Sequence, residues 1–241
     1  MSTRQLFLMR HGKAVSWDKA DDDFARPLKK RGKRQAQKIG TWLLDQGLVP
    51  DKIICSDAVR CRETAIKCIK AAGAGVSLID SRAELYLASE KKLHKAIESA
   101  LASSTNLLVV GHNPGVEALV SRLARTHSFE LRNSQIMNTG TLVHFSMSQG
   151  ITKPQFENHI RPEDLPDDFP YPEAGGADRR ERPAYYYRQV AALPYRLTDD
   201  GLQVLAIKSS SGRYLGIPKG IHDPGVTGQQ AAAKEAFEEA G

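Results

Sequence analysis

An apolar run, Leu6-Phe7-Leu8-Met9, ends directly in Arg10-His11-Gly12. An imidazole with an unperturbed pKa of about 6.5 is a competent nucleophile near pH 7. A guanidinium beside it offers a planar fork of donors matched to phosphate oxygens, so the pair suits attack on phosphorus. A polar strand end with a turn glycine would account for the tripeptide equally well if it stood alone. The same grammar recurs, however. Leu107-Leu108-Val109-Val110-Gly111 ends in His112, followed by Asn113-Pro114-Gly115, and Lys52-Ile53-Ile54-Cys55-Ser56 opens into Asp57-Ala58-Val59-Arg60-Cys61-Arg62-Glu63-Thr64.

Chemistry on these residues needs elements that bring them together. Each apolar run has the length and composition of a buried strand. In open α/β sheets the C-terminal ends of the strands bind ligands, so His11, His112 and Arg60 are expected on one edge of one sheet. Helices are predicted at about 30–46, 58–72, 89–102 and 115–124, with further strands at 76–79 and 141–146. Strands alternating with helices predict an α/β fold of three α/β/α layers around a mostly parallel sheet.

Residues 1 to about 150 resemble the histidine phosphatase superfamily in its short phosphohistidine phosphatase branch, the SixA type. Four blocks carry the resemblance: Arg10-His11-Gly12, Arg26-Pro27-Leu28, Ser56 through Thr64 with Arg60, and Gly111-His112-Asn113-Pro114. It implies that His11 is transiently phosphorylated and that Arg10, Arg26, Arg60 and His112, with Asn113 beside them, hold the phosphoryl group. No metal is implied in this half. Preorganised cations stabilise the charge that spreads over a transferring phosphoryl group, so bound phosphate, vanadate or tungstate should inhibit.

A general acid is needed to protonate most leaving groups. Glu84, in Ala83-Glu84-Leu85-Tyr86, stands where larger members of the superfamily keep their acid, and is the preferred candidate. Asp23, in the run Asp21-Asp22-Asp23, is the other, and such a run also fits a solvated loop. A phosphohistidine whose ring is protonated leaves without strong acid help. Tyr86, Thr139 and Gly140 are placed near the pocket by position, whereas surface or structural roles are expected for His94, His127 and His144.

The chain has 241 residues, 41% of them hydrophobic, enough for one large domain or two small ones. No stretch approaches the roughly 20 apolar residues of a membrane span, and Met1-Ser2-Thr3-Arg4 leads into a strand rather than a signal peptide. Cys55, Cys61 and Cys68 lack metal spacing, which fits a reducing, cytoplasmic setting. The net charge of +6 raises the question of nucleic acid. Its one cluster, Lys29-Lys30-Arg31-Gly32-Lys33-Arg34, precedes Ala36, Ile39, Trp42 and Leu43 at helical spacing, and so reads as a solvated helix face rather than a nucleic-acid surface. With no sizeable cap insertion between Arg60 and His112, the pocket is expected to be open. It would admit a phosphorylated protein side chain, phosphohistidine above all, or a small phosphorylated metabolite.

Composition changes after Gly150. Residues 151–184 hold Pro154, Pro162, Pro166, Pro170 and Pro172 with Gly175-Gly176 and read as a linker, anchored by Phe156, Phe169 and Tyr171. A second module is expected over 185–241. Strands are predicted at 188–196 and 202–207, joined by Thr198-Asp199-Asp200-Gly201. A helix over 228–240 follows, opened by a Thr227/Gln230 capping box and stopped by Gly241. On that helix Glu235, Glu238 and Glu239 share one face, where like charges repel and a hard divalent cation would offset the repulsion.

Residues 185–241 resemble the start of a Nudix hydrolase domain. Gly220 opens the signature, and Lys234-Glu235-Ala236-Phe237-Glu238-Glu239-Ala240-Gly241 matches its helical half. Val226 stands where the signature has its first glutamate, and Lys234 replaces the usual arginine. The resemblance implies hydrolysis of a nucleoside or inositol diphosphate bond with Mg2+ on Glu235, Glu238 and Glu239. Because the sequence stops inside the signature, the module is expected to be incomplete and inactive, the chain being a fragment or a truncated gene product. Two alternatives accompany the phosphatase reading. One is a magnesium-dependent diphosphate hydrolase whose N-terminal domain removes product phosphate, and the other a non-catalytic phosphate-binding scaffold.

Overall fold

The computed structural model describes residues 3–20, 22–125, 127–148, 151, 153–172, 179–183, 189–209, 212–222 and 226–240. Asp21, Gly150, Gly175-Gly176, Tyr185, Arg188 and Gly241, named above, lie outside the described residues, as do the side chains of Phe169 and Tyr171. The chain divides into two compact units, residues 1–185 and 186–241.

In the first unit the elements run β1 (Arg4–Arg10), α1 (Lys30–Asp45), β2 (Lys52–Ser56), α2 (Val59–Ala71), β3 (Ile79–Arg82), α3 (Glu90–Leu101), β4 (Asn106–Gly111), α4 (Gly115–Ala124), β5 (Leu142–Met147) and β6 (Gln155–Ile160). They form a six-stranded sheet in the order β3-β2-β4-β1-β5-β6. The first four strands in that order are mutually parallel, β5 runs antiparallel to β1, and β6 antiparallel to β5. This is the expected α/β architecture with a mostly parallel sheet.

Successive side chains of a strand point to opposite faces, and here both faces are covered. Leu6, Leu8, Ile54, Leu107, Val109, Val143 and Phe145 pack on one side with Leu93 and Ile97 of α3 and Val116, Leu119 and Val120 of α4. Phe7, Met9, Ile53, Cys55, Leu108, Val110 and Leu142 pack on the other with Ala36, Ile39 and Leu43 of α1 and Cys61, Ala65 and Ile69 of α2. The continuous apolar runs of the sequence are therefore strands buried on both sides. Close approach of backbones seats the loop after β1: a Cβ on Gly12 would overlap the Gly32 carbonyl of α1, and one on Gly32 would overlap Lys13.

Two expectations change. The strand predicted at 76–79 is a 3₁₀ turn, Val76–Leu78, followed by β3. This is a sheet margin where Val76 remains exposed, and apolar composition alone does not secure pairing there. Residues 155–160, expected in the linker, form β6, paired with β5 through a bulge at His144/Phe145. Pro154 and Pro162 fall outside the strand, so they remove no ladder donor, and Phe156 and Ile160 join the two cores. Beyond it, β7 (Asp168–Pro172) and β8 (Arg179–Pro183) pair as an antiparallel hairpin.

The second unit consists of β9 (Gln189–Ala191), β10 (Tyr195–Thr198), β11 (Gly201–Val204), β12 (Ile207–Lys208), β13 (Leu215–Gly216), β14 (Lys219–Ile221) and α5 (Gly228–Ala240). Where one strand was predicted over 188–196, two short ones flank Leu193-Pro194, since proline has no N–H for the ladder. β10 and β11 close the expected hairpin. Thr227 and Gln230 form the expected reciprocal cap, with N–H to side-chain oxygen distances of 3.0 and 3.2 Å. Among the described residues of this unit Pro218 and Ala231 are buried, while Leu197, Leu215 and Phe237 are exposed.

Candidate active site

The register of the sheet makes the site. Arg10, the last residue of β1, is level with Gly111, the last of β4, so His11 and His112 emerge side by side with ring centroids 5.2 Å apart. The first turn of α2, following β2, adds Arg60, and the loop between β1 and α1 adds Asp23 and Arg26. Together they line a cleft of about 520 Å³ with Lys13, Ala14, Tyr86, Leu87, Asn113 and Thr139. Gly140 stays behind the cleft, its N–H donating to the Arg10 and His11 carbonyls.

His11 is buried, with Nδ1 2.8 Å from the Gly12 carbonyl. A carbonyl only accepts, so Nδ1 carries the proton and the lone pair of the neutral ring lies on Nε2. Burial pushes the His11 pKa down to about 3; the Gly12 bond opposes this, and His112, Arg60 and Arg10 add to it. His112 takes the other tautomer. Its Nδ1 lies 3.3 Å from Arg60 Nη2, which only donates, and its Nε2 lies 2.8 Å from Ser56 Oγ. Burial first, then Arg60, lowers the His112 pKa to about 4. At neutral pH both rings are uncharged.

The arginines are held from behind. Arg10 Nη1 donates to Gln135 Oε1 at 2.8 Å and to the Met137 carbonyl at 2.7 Å. Arg26 Nη1 donates to the Val15 carbonyl at 2.9 Å. Arg60, 2% exposed, donates to the Asp23 carbonyl and carboxylate. The Nε atoms of Arg10, Arg26 and Arg60 are nevertheless buried with no partner among the described residues. An unmet buried donor costs about 1–3 kcal/mol, more when charged. Arg10, Arg26 and Arg60 all line the one cleft, which fits an anion with several acceptor oxygens.

The two acid candidates separate. Asp23 lines the cleft, and its carboxylate accepts from Tyr86 Oη at 2.7 Å and pairs with Arg60 and Arg26 at 2.9 Å each. The Tyr86 hydrogen bond, followed by the two arginines, lowers its pKa, so Asp23 is a carboxylate rather than an acid. The same bond raises the Tyr86 hydroxyl. Glu84, the preferred candidate from the sequence, sits exposed in the 3₁₀ turn Ala83–Leu85 and is not among the residues that line the cleft.

Two functional positions escaped the sequence. Gln135 reaches Arg10 across 125 residues of chain, which no local spacing signals. Glu117, in the first turn of α4, accepts from Asn113 Nδ2 at 2.7 Å and from the Met137 and Ile136 N–H groups at 3.2 and 3.4 Å. It thereby fixes the segment that carries the carbonyl bound by Arg10. A carboxylate amid the apolar Val116, Leu119 and Val120 was the available signal. His144 has the structural role expected, stacked on Phe7 at 4.6 Å and bonded to Gln5.

Residues 6–87 match the family described as the histidine phosphatase superfamily (branch 1). The chain belongs to the histidine phosphatase superfamily. The uncharacterized protein Rv1276c of Mycobacterium tuberculosis is 38% identical over 118 residues, which make up 48% of this chain and 70% of that protein. The serine/threonine-protein phosphatase Pgam5, mitochondrial, of Drosophila willistoni is 42% identical over 64 residues, 27% of this chain and 21% of that protein. Among solved structures, the putative phosphohistidine phosphatase SixA from Nakamurella multipartitia superposes with a TM-score of 0.57 at 26% identity, covering 67% of this chain and 98% of that one. The matched residues include Arg10, His11, Asp23, Arg26, Arg60 and Tyr86 of the cleft.

The carboxylates of the second unit do not assemble as expected. Among the described residues no group of three or more His, Cys, Asp or Glu side chains is placed to hold a metal. Glu239 instead accepts from the Lys219 N–H at 3.0 Å, and Glu238 pairs with Lys234 at 3.7 Å. Side chains sharing a helix face can each find a separate partner, and here local hydrogen bonding offsets the repulsion that a cation would have offset. No helix among the described residues is long and apolar enough to cross a membrane.

Proposed function

We propose that this protein is a phosphatase that hydrolyses phosphohistidine, and phosphate esters with good leaving groups, through a phosphohistidine on His11. The observation that carries the reading is the neutral His11 ring, with its lone pair on Nε2, in a cleft lined by Arg10, Arg26 and Arg60. Nε2 attacks phosphorus, the bond from phosphorus to the leaving group breaks, and the electron pair departs with that group. Water then attacks the phosphorus of phospho-His11, releasing inorganic phosphate and restoring the imidazole. The arginines neutralise the charge on the equatorial oxygens throughout.

The acid–base inventory narrows the substrate. Asp23 is held ionised and Glu84 lies off the cleft, so neither is poised to give a proton. A protonated phosphohistidine ring needs none, which favours it over alkyl phosphates. The charge state of Asp23 suits it to accept the proton of the attacking water. The similarity to the putative phosphohistidine phosphatase SixA from Nakamurella multipartitia supports the same substrate class.

Hydrolysis of a phosphohistidine substrate and of p-nitrophenyl phosphate in excess EDTA, with His11→Ala as control, tests the reading. Turnover that survives EDTA and vanishes in His11→Ala is expected. Turnover retained by His11→Ala would overturn it.

For the second unit, the Nudix resemblance of the sequence is the sole ground for a Nudix-like scaffold. No catalytic step is assigned to this unit.

A further inference from the structure

The cationic side of the cleft recognises a phosphoryl group whatever carries it, so selection among substrates must come from the uncharged side. There the backbone of Leu87 lies in the left-handed region with φ 46°. That conformation is strained for a branched L-residue, and glycine or asparagine would adopt it more cheaply. Burial does not repay the cost, because the side chain is 55% exposed. The turn cannot relax either. Leu85 and Ala88 on both sides are buried, the Tyr86 N–H is bonded to the Ala83 carbonyl at 3.0 Å, and the Ala88 carbonyl is packed where a Cβ on Gly115 would sit. A fixed backbone thus holds a strained, half-exposed leucine in the lining of the charged cleft.

Its neighbour is equally fixed. The Tyr86 hydroxyl is tied to Asp23, and its ring meets His112 edge-to-face with centroids 5.5 Å apart. We propose that Leu87 and Tyr86 form the leaving-group wall of this cleft, selecting phosphoryl compounds whose leaving group is a flat, carbon-rich ring such as an imidazole or a phenol. The proposal rests on the phosphatase reading and specifies the substrate side of it. A ring laid on this wall removes the leucine side chain from water, the gain that its folded-state strain otherwise lacks.

The test compares binding of phenylphosphonate and methylphosphonate, which share a non-hydrolysable phosphoryl group, to the full chain by calorimetry. The wild type is expected to bind phenylphosphonate about tenfold more tightly, the worth of roughly one half-buried leucine. Leu87→Gly and Leu87→Asn are expected to lose most of that ratio, with melting temperatures no lower than wild type because both relieve the strain. A ratio near one in the wild type, a ratio unchanged in both variants, or binding of neither phosphonate would overturn the proposal. If Leu87→Gly fails to fold, Leu87→Asn decides. A Leu87-dependent ratio without turnover of phosphohistidine or p-nitrophenyl phosphate would remove the phosphatase reading and leave the wall. His11-dependent turnover with no ratio would do the reverse.

Discussion

Asp23 Oδ2 lies 2.9 Å from Arg60 Nη2, so the cleft's most buried cation is already paired with a carboxylate of the chain. Asp23 Oδ1 holds Arg26 Nη2 in the same way. A phosphoryl group entering the cleft competes with this carboxylate for both guanidiniums. Asp23→Asn should therefore tighten inhibition by inorganic phosphate and vanadate about fivefold, the scale of one partly exposed ion pair. It should also lower kcat with a burst of p-nitrophenol, since hydrolysis of phospho-His11 loses its base. Unchanged phosphate inhibition would show that Asp23 does not compete.

The lowered pKa values of His11 and His112, about 3 and about 4, tie stability to pH. Both rings are neutral in the fold and have pKa values near 6.5 when unfolded, so the unfolded chain binds more protons between those limits. The stability from keeping them neutral is complete above pH 6.5 and is lost as pH falls toward 4 and then 3. Melting temperature should drop steadily from pH 7 to pH 4.5, and less steeply in His11→Gln. Equal slopes in the two proteins would mean that His11 is not a buried neutral ring.

Most of the site was legible because its residues sit at the ends of apolar runs. Strand direction and the parallel register turned the positions of Arg10, His11 and His112 into proximity, and Arg60 followed from the helix after β2. What the sequence hid depends on partners distant along the chain. Asp23 and Glu84 are both carboxylates in loops, and only the fold ties one of them to Tyr86 and two arginines. β6 was masked by flanking prolines, and the helical glutamates of α5 suggested a shared cation where the structure pairs Glu239 with the Lys219 N–H and Glu238 with Lys234.

Glu117 sits one layer behind Arg10. Its carboxylate binds the Met137 N–H, while the Met137 carbonyl accepts from Arg10 Nη1. Glu117→Ala should loosen that segment and raise KM about tenfold with a smaller change in kcat, because Arg10 is retained but less well aimed. Glu117→Gln, which keeps an acceptor for the amides, should recover much of the loss. A general loss of folded protein in both variants, seen as a lowered melting temperature with unchanged KM, would assign Glu117 a packing role alone.

Ser56 decides which nitrogen of His112 faces the phosphoryl site. It takes the Nε2 proton at 2.8 Å, leaving Nδ1 toward Arg60. Without that acceptor the buried Nε2–H has no hydroxyl to receive it, and the tautomer with its proton on Nδ1 gains weight. That tautomer meets the Arg60 guanidinium donor to donor, which pushes Arg60 away from its place in the cleft. Ser56→Ala should lower kcat/KM about tenfold and weaken vanadate inhibition in parallel, both measurable with p-nitrophenyl phosphate. Full activity with unchanged vanadate inhibition would mean that Arg60 alone fixes the orientation of His112.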